Sequence, residues 1–357
     1  MAVGALIGLA IVFVPIRFLP ANNLVILALV PAFFIGVLVH ELGHVAAGFI
    51  AGLEFRRVLV GPLAFTREAR GYRLRFIGKR FMAGGYAHMI PRSQAGIRGK
   101  FRLFLAGGPI ATLLLFVPVA LFPWGTGTAA LLFANLVLAA FCLIPMEIQG
   151  HYTDGKAIQI LFQESPAAER MAAILYLVSL NGQGIPPGEW PAEVIEKLST
   201  EGGGKTYRAA GRIFLHIHAK ESGAPGEIAA ALERVLAVSD ELNAGARLPY
   251  FAEAAFFHGV TNRNAALARA WLNDAHAIKG AVAQKGWDEP ALLAIAYAEG
   301  NEAEFREHYP RALEYLDRQP GPSGALTAYR NRLVQLSATV LVPSTHPPAP
   351  GSAASLP

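Results

Sequence analysis

The sequence predicts an α-helical polytopic membrane protein with about four transmembrane helices, a small β-rich interfacial loop and a C-terminal all-α cytoplasmic domain. Three observations lead there. Of 357 residues, 53% are hydrophobic and only 16% are charged. The hydrophobic residues gather in runs near the ~20 residues that cross a bilayer. Charge is unevenly divided: residues 1–155 carry 13 Lys/Arg against 5 Asp/Glu, whereas residues 156–357 carry 18 against 21. A basic excess confined to the apolar half suits a membrane surface and argues against a nucleic-acid partner. The expected organisation is a transmembrane domain over 1–158, a cytoplasmic helical domain over 159–340 and a disordered, Pro-rich tail over 341–357.

Four apolar segments follow in order. Met1 to Ile16 is uncharged but short, and Arg17 closes it. With no basic n-region and no convincing small-residue cleavage site, it reads as a retained helix rather than a signal peptide. Leu24 to Gly52, Leu103 to Phe122 and Thr128 to Met146 each have the length to span. Twelve basic residues lie between Glu54 and Arg102 and none lies in Pro123–Gly127. The long loop and both termini are therefore expected in the cytoplasm, with the chain in a cell (inner) membrane.

Within the basic loop, Arg56–Val60 and Tyr72–Phe76 are rich in β-formers, and Arg70-Gly71 reads as a turn between them. An apolar-basic sheet has two readings here: an anchor resting on the anionic inner leaflet, or an edge strand that handles an extended peptide. Gly84-Gly85 marks a tight backbone passage before the chain returns to the bilayer. Beyond Asp154 the pattern becomes helical and amphipathic over Ala167–Leu180, Gly226–Leu242, Asn262–Ala277 and Asn301–Leu316. The stretch Ala294–Gly300, followed by Phe305, Tyr309, Ala312 and Leu316, looks like a tetratricopeptide-type helical hairpin. Its period is not clean, because Gly259 and Gly300 occupy similar contexts 41 residues apart. Such a domain offers a surface for a protein partner.

The chemistry concentrates at His40-Glu41-Leu42-Gly43-His44, the only ionisable side chains between Phe18 and Leu53. Ionisable groups in a membrane-length apolar run are costly and are functional by default. Residues four apart on a helix are separated by about 400° of rotation, so His40 and His44 share a face and can hold one metal. Glu41 lies beside them, which gives the H-E-x-x-H pattern of two zinc ligands and a general base. A catalytic zinc takes a third protein ligand. Asp154, just past the fourth apolar segment, is the leading candidate, with Glu147 and His151 as competitors. The single cysteine, Cys142, excludes a disulfide or a thiolate cluster within one chain.

Together these residues resemble the site-2 protease family of intramembrane zinc metalloproteases, over roughly residues 30–160. The resemblance rests on the His40–His44 motif, on Ala106-Gly107-Gly108-Pro109, and on an Asp154-Gly155 pair that follows Leu143-Ile144-Pro145. It implies that His40, His44 and Asp154 bind Zn2+, that Glu41 is the catalytic base, and that the substrate is a membrane-embedded or membrane-adjacent peptide segment. The chain departs from the commoner family pattern twice. Cys142 stands where an Asn is usual, and eight residues, Met146 to Thr153, separate Pro145 from Asp154. Two other readings stand beside it: a catalytically inactive membrane scaffold acting through its helical domain, and a metal or proton transporter that uses the same polar residues as a pathway.

Overall fold

The computed structural model of the chain describes residues 23–68, 71–77, 84–123, 125–148, 151–199, 204–242, 244–281, 283–319 and 323–341. The expected Met1–Ile16 helix, the Arg70 turn position and the tail from residue 342 lie outside them. By internal contacts the chain divides into two compact units. One runs to Leu180 and includes Trp190–Leu215; the other takes Asn181–Glu189 and the residues from His216 onward. The sequence-derived boundary at 158/159 falls inside the first unit.

In the first unit the apolar runs form helices α1 (Asn23–Ile50), α2 (Ile97–Leu114), the short α3 (Phe116–Ala120) and α4 (Thr126–Leu143). Among the described residues three stretches, Leu27–Ile50, Ile97–Val119 and Thr126–Leu143, are long and apolar enough to cross a membrane. They leave Leu27, Val30, Ile50, Leu114, Val117 and Leu136 exposed, an outward apolar surface suited to hydrocarbon. Helix α2 starts six residues before the apolar run at Leu103 and carries Arg98, Lys100 and Arg102 in its first turns. Hydropathy marks the part of a helix that lies in lipid, not the part that continues beyond it.

Small residues set the spacing of α1 and α2. A Cβ on Gly43 would stand 2.4 Å from the Gly107 carbonyl oxygen, and a Cβ on Gly107 would stand 2.3 Å from the Gly43 carbonyl oxygen. The two backbones are in reciprocal contact, as small residues permit in membrane helix pairs. Helix α4 meets α1 at Gly36, where an added Cβ would lie 2.9 Å from Asn135 Oδ1.

Between α1 and α2 the chain forms a four-stranded antiparallel sheet from β1 (Leu53–Val60), β2 (Leu63–Glu68), β3 (Gly71–Phe76) and β4 (Gly85–Pro91), in the order β3-β2-β1-β4. The expected β1 and β3 are present, but β2 lies between them and β4 pairs on the far side of β1. Leu53, Phe55, Val58 and Met89 pack into a core with Phe101 and Phe104 of α2. On the outer hairpin Leu63, Phe65, Tyr72, Leu74 and Phe76 are exposed, while Arg73 and Arg75 alternate with them. That period of two gives the hairpin one apolar and one basic face.

After α4 the chain makes a two-stranded hairpin, β5 (Glu147–Ile148) and β6 (His151–Tyr152), and enters α5 (Asp154–Phe162) and α6 (Pro166–Gly182); α7 (Ala192–Glu196) and α8 (Lys205–Ser222) follow. The second unit contains α9 (Pro225–Leu236), α10 (Ala244–Val260), α11 (Ala265–His276), α12 (Glu289–Glu299), α13 (Glu302–Asp317) and α14 (Gly324–Leu341). These bear out the amphipathic periodicity to within a few residues at most ends. Helix α10 packs on both α11 and α12, and α12 on α13, as in stacked helical hairpins. Gly259 and Gly300 nevertheless do different work. Gly259 lies inside α10 against the Ala294 carbonyl, whereas Gly300 ends α12 with φ 68°. Within this unit the nearly sealed Glu253 receives Lys220 Nζ at 2.9 Å. Burial would raise its carboxyl pKa, but Lys220 and His216 hold it well below the usual carboxylate range.

Candidate metal centre

The expected ligands come together. His40 and His44, one turn apart on α1, are both buried. Asp154, the first residue of α5, brings Oδ2 to 3.1 Å from His40 Nε2 and 3.5 Å from His44 Nε2, and the two Nε2 atoms are 3.1 Å apart. Ligand atoms ~2.0–2.1 Å from a tetrahedral zinc stand about 3.3 Å apart. The triangle is therefore the size of a first-row metal site, and His40, His44 and Asp154 form a possible metal-binding triad.

The second ring nitrogens fix what the first ones offer. His44 Nδ1 lies 2.8 Å from the Phe104 carbonyl oxygen, which can only accept, so Nδ1 carries the proton. The Gly108 amide also approaches Nδ1, at 3.3 Å, but that longer contact would need a lone pair that the Phe104 bond has used. Thr112 Oγ1 donates to the Gly108 carbonyl at 3.0 Å and so accepts from His40 Nδ1–H at 2.9 Å. With both protons on Nδ1, both Nε2 atoms present bare lone pairs. The third group, the Asp154 carboxylate, is an anion at neutral pH in the ordinary range of its side chain. Three acceptors facing one another at 3.1–3.5 Å repel unless a cation stands between them. The residues present thus fit a divalent metal, and Thr112 and the Phe104 carbonyl supply the outer hydrogen bonds that orient metal-binding histidines.

Local folding explains how a carboxylate after an eight-residue insertion reaches this point. Residues Glu147 and Ile148 pair with Tyr152 and His151, so the insertion closes on itself as a hairpin. Thr153 pins the base: its amide donates to Met146 O at 3.1 Å, its Oγ1 donates to Ile144 O at 2.7 Å, and the same oxygen caps α5 at Lys156 N. Gly155 seats the helix start under α4, where a Cβ would be 2.0 Å from the Leu143 carbonyl oxygen. Asp154 is returned to Pro145 as though the insertion were absent. Of the competitors, Glu147 is exposed and faces Gly204, where a Cβ would meet its Oε2 at 2.7 Å. The His151 backbone belongs to β6, and its side chain lies outside the described residues.

Glu41 is buried next to the triad on α1. The start of β4 closes over it: a Cβ on Gly85 would stand 2.3 Å from Glu41 Oε1, and the Ala87 backbone gives the carboxyl a hydrogen bond. Gly108 of α2 presses on the ligands, where a Cβ would meet His44 Nε2 at 2.4 Å and His40 Nε2 at 2.7 Å. In the sequence Gly108 stands out within the Ala106-Gly107-Gly108-Pro109 run of the family resemblance; the structure puts it against the imidazoles. Thr112, one turn beyond it, was missed. Its signal was present, since a hydroxyl four residues after Gly108 in an uncharged run is a polar group needing a partner. No protein-family model, curated protein or solved structure matches the chain.

Proposed function

We propose that the chain is an intramembrane zinc endopeptidase of the site-2 protease type, acting on membrane-embedded or membrane-adjacent peptide segments. The observation that carries this reading is the pairing of roles on one helix. Two imidazoles with bare Nε2 atoms meet a carboxylate, a second carboxylate sits alongside, and the helix has the length and apolarity to cross a membrane. A structural metal would need the triad but not the buried Glu41 beside it.

In this reading His40, His44 and Asp154 hold the zinc, which when bound polarises the scissile carbonyl and makes water a competent nucleophile near neutral pH. Glu41 accepts the proton of the attacking water and passes it to the leaving amine. Its burial between α1 and Gly85 keeps bulk water from competing for that proton. Strand β4 is an edge of the sheet, and its first residue lies on Glu41. An extended peptide pairing with that edge would have its backbone beside the base, which is how strand addition presents substrates. The basic loop and both termini would face the cytoplasm.

The test uses purified full-length protein and a panel of single-span membrane peptides. Cleavage should require the metal, disappear on chelation and return when zinc is restored. Cleavage that persists after the metal has been stripped would overturn the reading.

A further inference from the structure

We propose that the β1–β4 half of the sheet carries a binding site for the phosphate of a phospholipid headgroup, built from Arg56, Arg57 and His88. The pairing of β1 with β4 slips between Phe55 and Arg57, so that two consecutive arginines oppose the single residue His88. Arg57 and His88 are direct cross-strand partners and so project from the same face, opposite the one that Phe55, Val58 and Met89 bury. Tyr86, two residues along β4, completes the cluster: its ring stacks on His88 at 6.0 Å and lies 5.3 Å beneath the Arg57 guanidinium.

The cluster is short of acceptors. Arg56 Nε, Arg57 Nε and His88 Nε2 are all buried without a hydrogen-bond partner. Glu54 is the carboxylate paired with this group, and it is shared: Arg67 Nη1 takes it at 2.6 Å, leaving Arg56 at 3.7 Å and Arg92 at 3.8 Å. Burial, then Arg57, then Arg56 push the His88 imidazole down to about 4, so it stands neutral beside the two arginines. A group with several anionic oxygens satisfies such a set, and guanidinium forks match phosphate in particular.

Depth identifies the source of the phosphate. Strand β4 runs along α1 from Gly85, against Glu41, to Met89, whose Sδ would lie 2.1 Å from a Cβ on Gly48. His88 is therefore level with the last turns of α1, which ends at Ile50. Where α1 crosses a bilayer, this is the boundary at which phosphates lie and hydrocarbon ends. The opposite face of the sheet carries the exposed Leu63, Phe65, Leu74 and Phe76, so the sheet turns an apolar face and a basic face apart, as an element at a hydrocarbon–headgroup boundary does. The inference rests on the membrane setting and not on peptidase activity.

The test is native mass spectrometry of the delipidated full-length protein in non-ionic detergent, titrated with dioleoylphosphatidylglycerol, with the uncharged dioleoylglycerol and with inorganic phosphate. The wild type should retain one phosphatidylglycerol in preference to dioleoylglycerol. The R56Q/R57Q double variant should bind it at least tenfold more weakly while keeping its metal content. Arg57→Lys should recover only part of the loss, because it restores charge but not the fork. Inorganic phosphate in excess should compete weakly if the headgroup and its chains bind together; full displacement by phosphate alone would overturn a lipid site. Equal lipid retention by wild type and the double variant would overturn the proposal. So would unchanged lipid retention accompanied by loss of cleavage only for peptides with acidic flanks, which would assign the cluster to substrate.

Discussion

Gly108→Ala is expected to abolish metal binding although it removes no ligand. The new methyl would stand 2.4 Å from His44 Nε2 and 2.7 Å from His40 Nε2, so neither imidazole can keep its position. Retreat of α2 would relieve the clash only by breaking the close Gly43–Gly107 backbone packing against α1. Nor can the rings swing aside freely, since Thr112 and the Phe104 carbonyl, on the same helix as Gly108, grip their Nδ1 atoms. Metal per protein, measured by plasma emission after purification, should fall at least tenfold, with helix content by circular dichroism retained. Full occupancy in this variant would mean that the ligands do not converge beside Gly108.

Asp154→Ala should also cost at least tenfold in metal affinity, and His151→Ala should cost nothing measurable. The first removes the only anion of the triad and leaves two neutral imidazoles, too few for a tight zinc site. The second alters a hairpin residue whose loop is closed by Thr153 independently of the site. Competitive titration with a chromophoric chelator gives both numbers. If His151→Ala releases the metal and Asp154→Ala keeps it, the third ligand lies in the hairpin, and the convergence at Asp154 is an ordinary helix start.

How much of this was legible in the sequence depends on whether a residue's role leaves a mark in its own side chain. His40, Glu41 and His44 stand out because three ionisable groups interrupt an apolar run, and helical rotation alone aligns the two imidazoles. Asp154 was legible only from its place just past the fourth apolar segment and from the resemblance. A lone Asp-Gly is ordinarily a turn, and what brings it to the histidines is the self-closing hairpin and the Gly155 contact, both set by tertiary packing. The Phe104 carbonyl had no side-chain signature at all, since any residue could present it. Strands β1 and β3 showed their β-formers, whereas β4 contributes residues to the core from one face and covers Glu41 at its start, so Gly85–Pro91 shows no simple polar-apolar alternation. The helical second unit was read well from periodicity. Its glycines misled, because the same residue serves close packing at Gly259 and a left-handed cap at Gly300.

Metal binding and base catalysis, in the proposed function, are separate tasks of neighbouring side chains on α1. The direct measurement compares the zinc content and the single-turnover cleavage of a membrane peptide between wild type and Glu41→Gln, full-length and in the same detergent. Glutamine keeps the size and burial of the side chain but cannot take the proton of the attacking water. Zinc content should be unchanged and the cleavage rate should fall by 10²-fold or more, the contribution expected of a positioned general base. Cleavage by Glu41→Gln at the wild-type rate, with zinc still bound, would contradict the account.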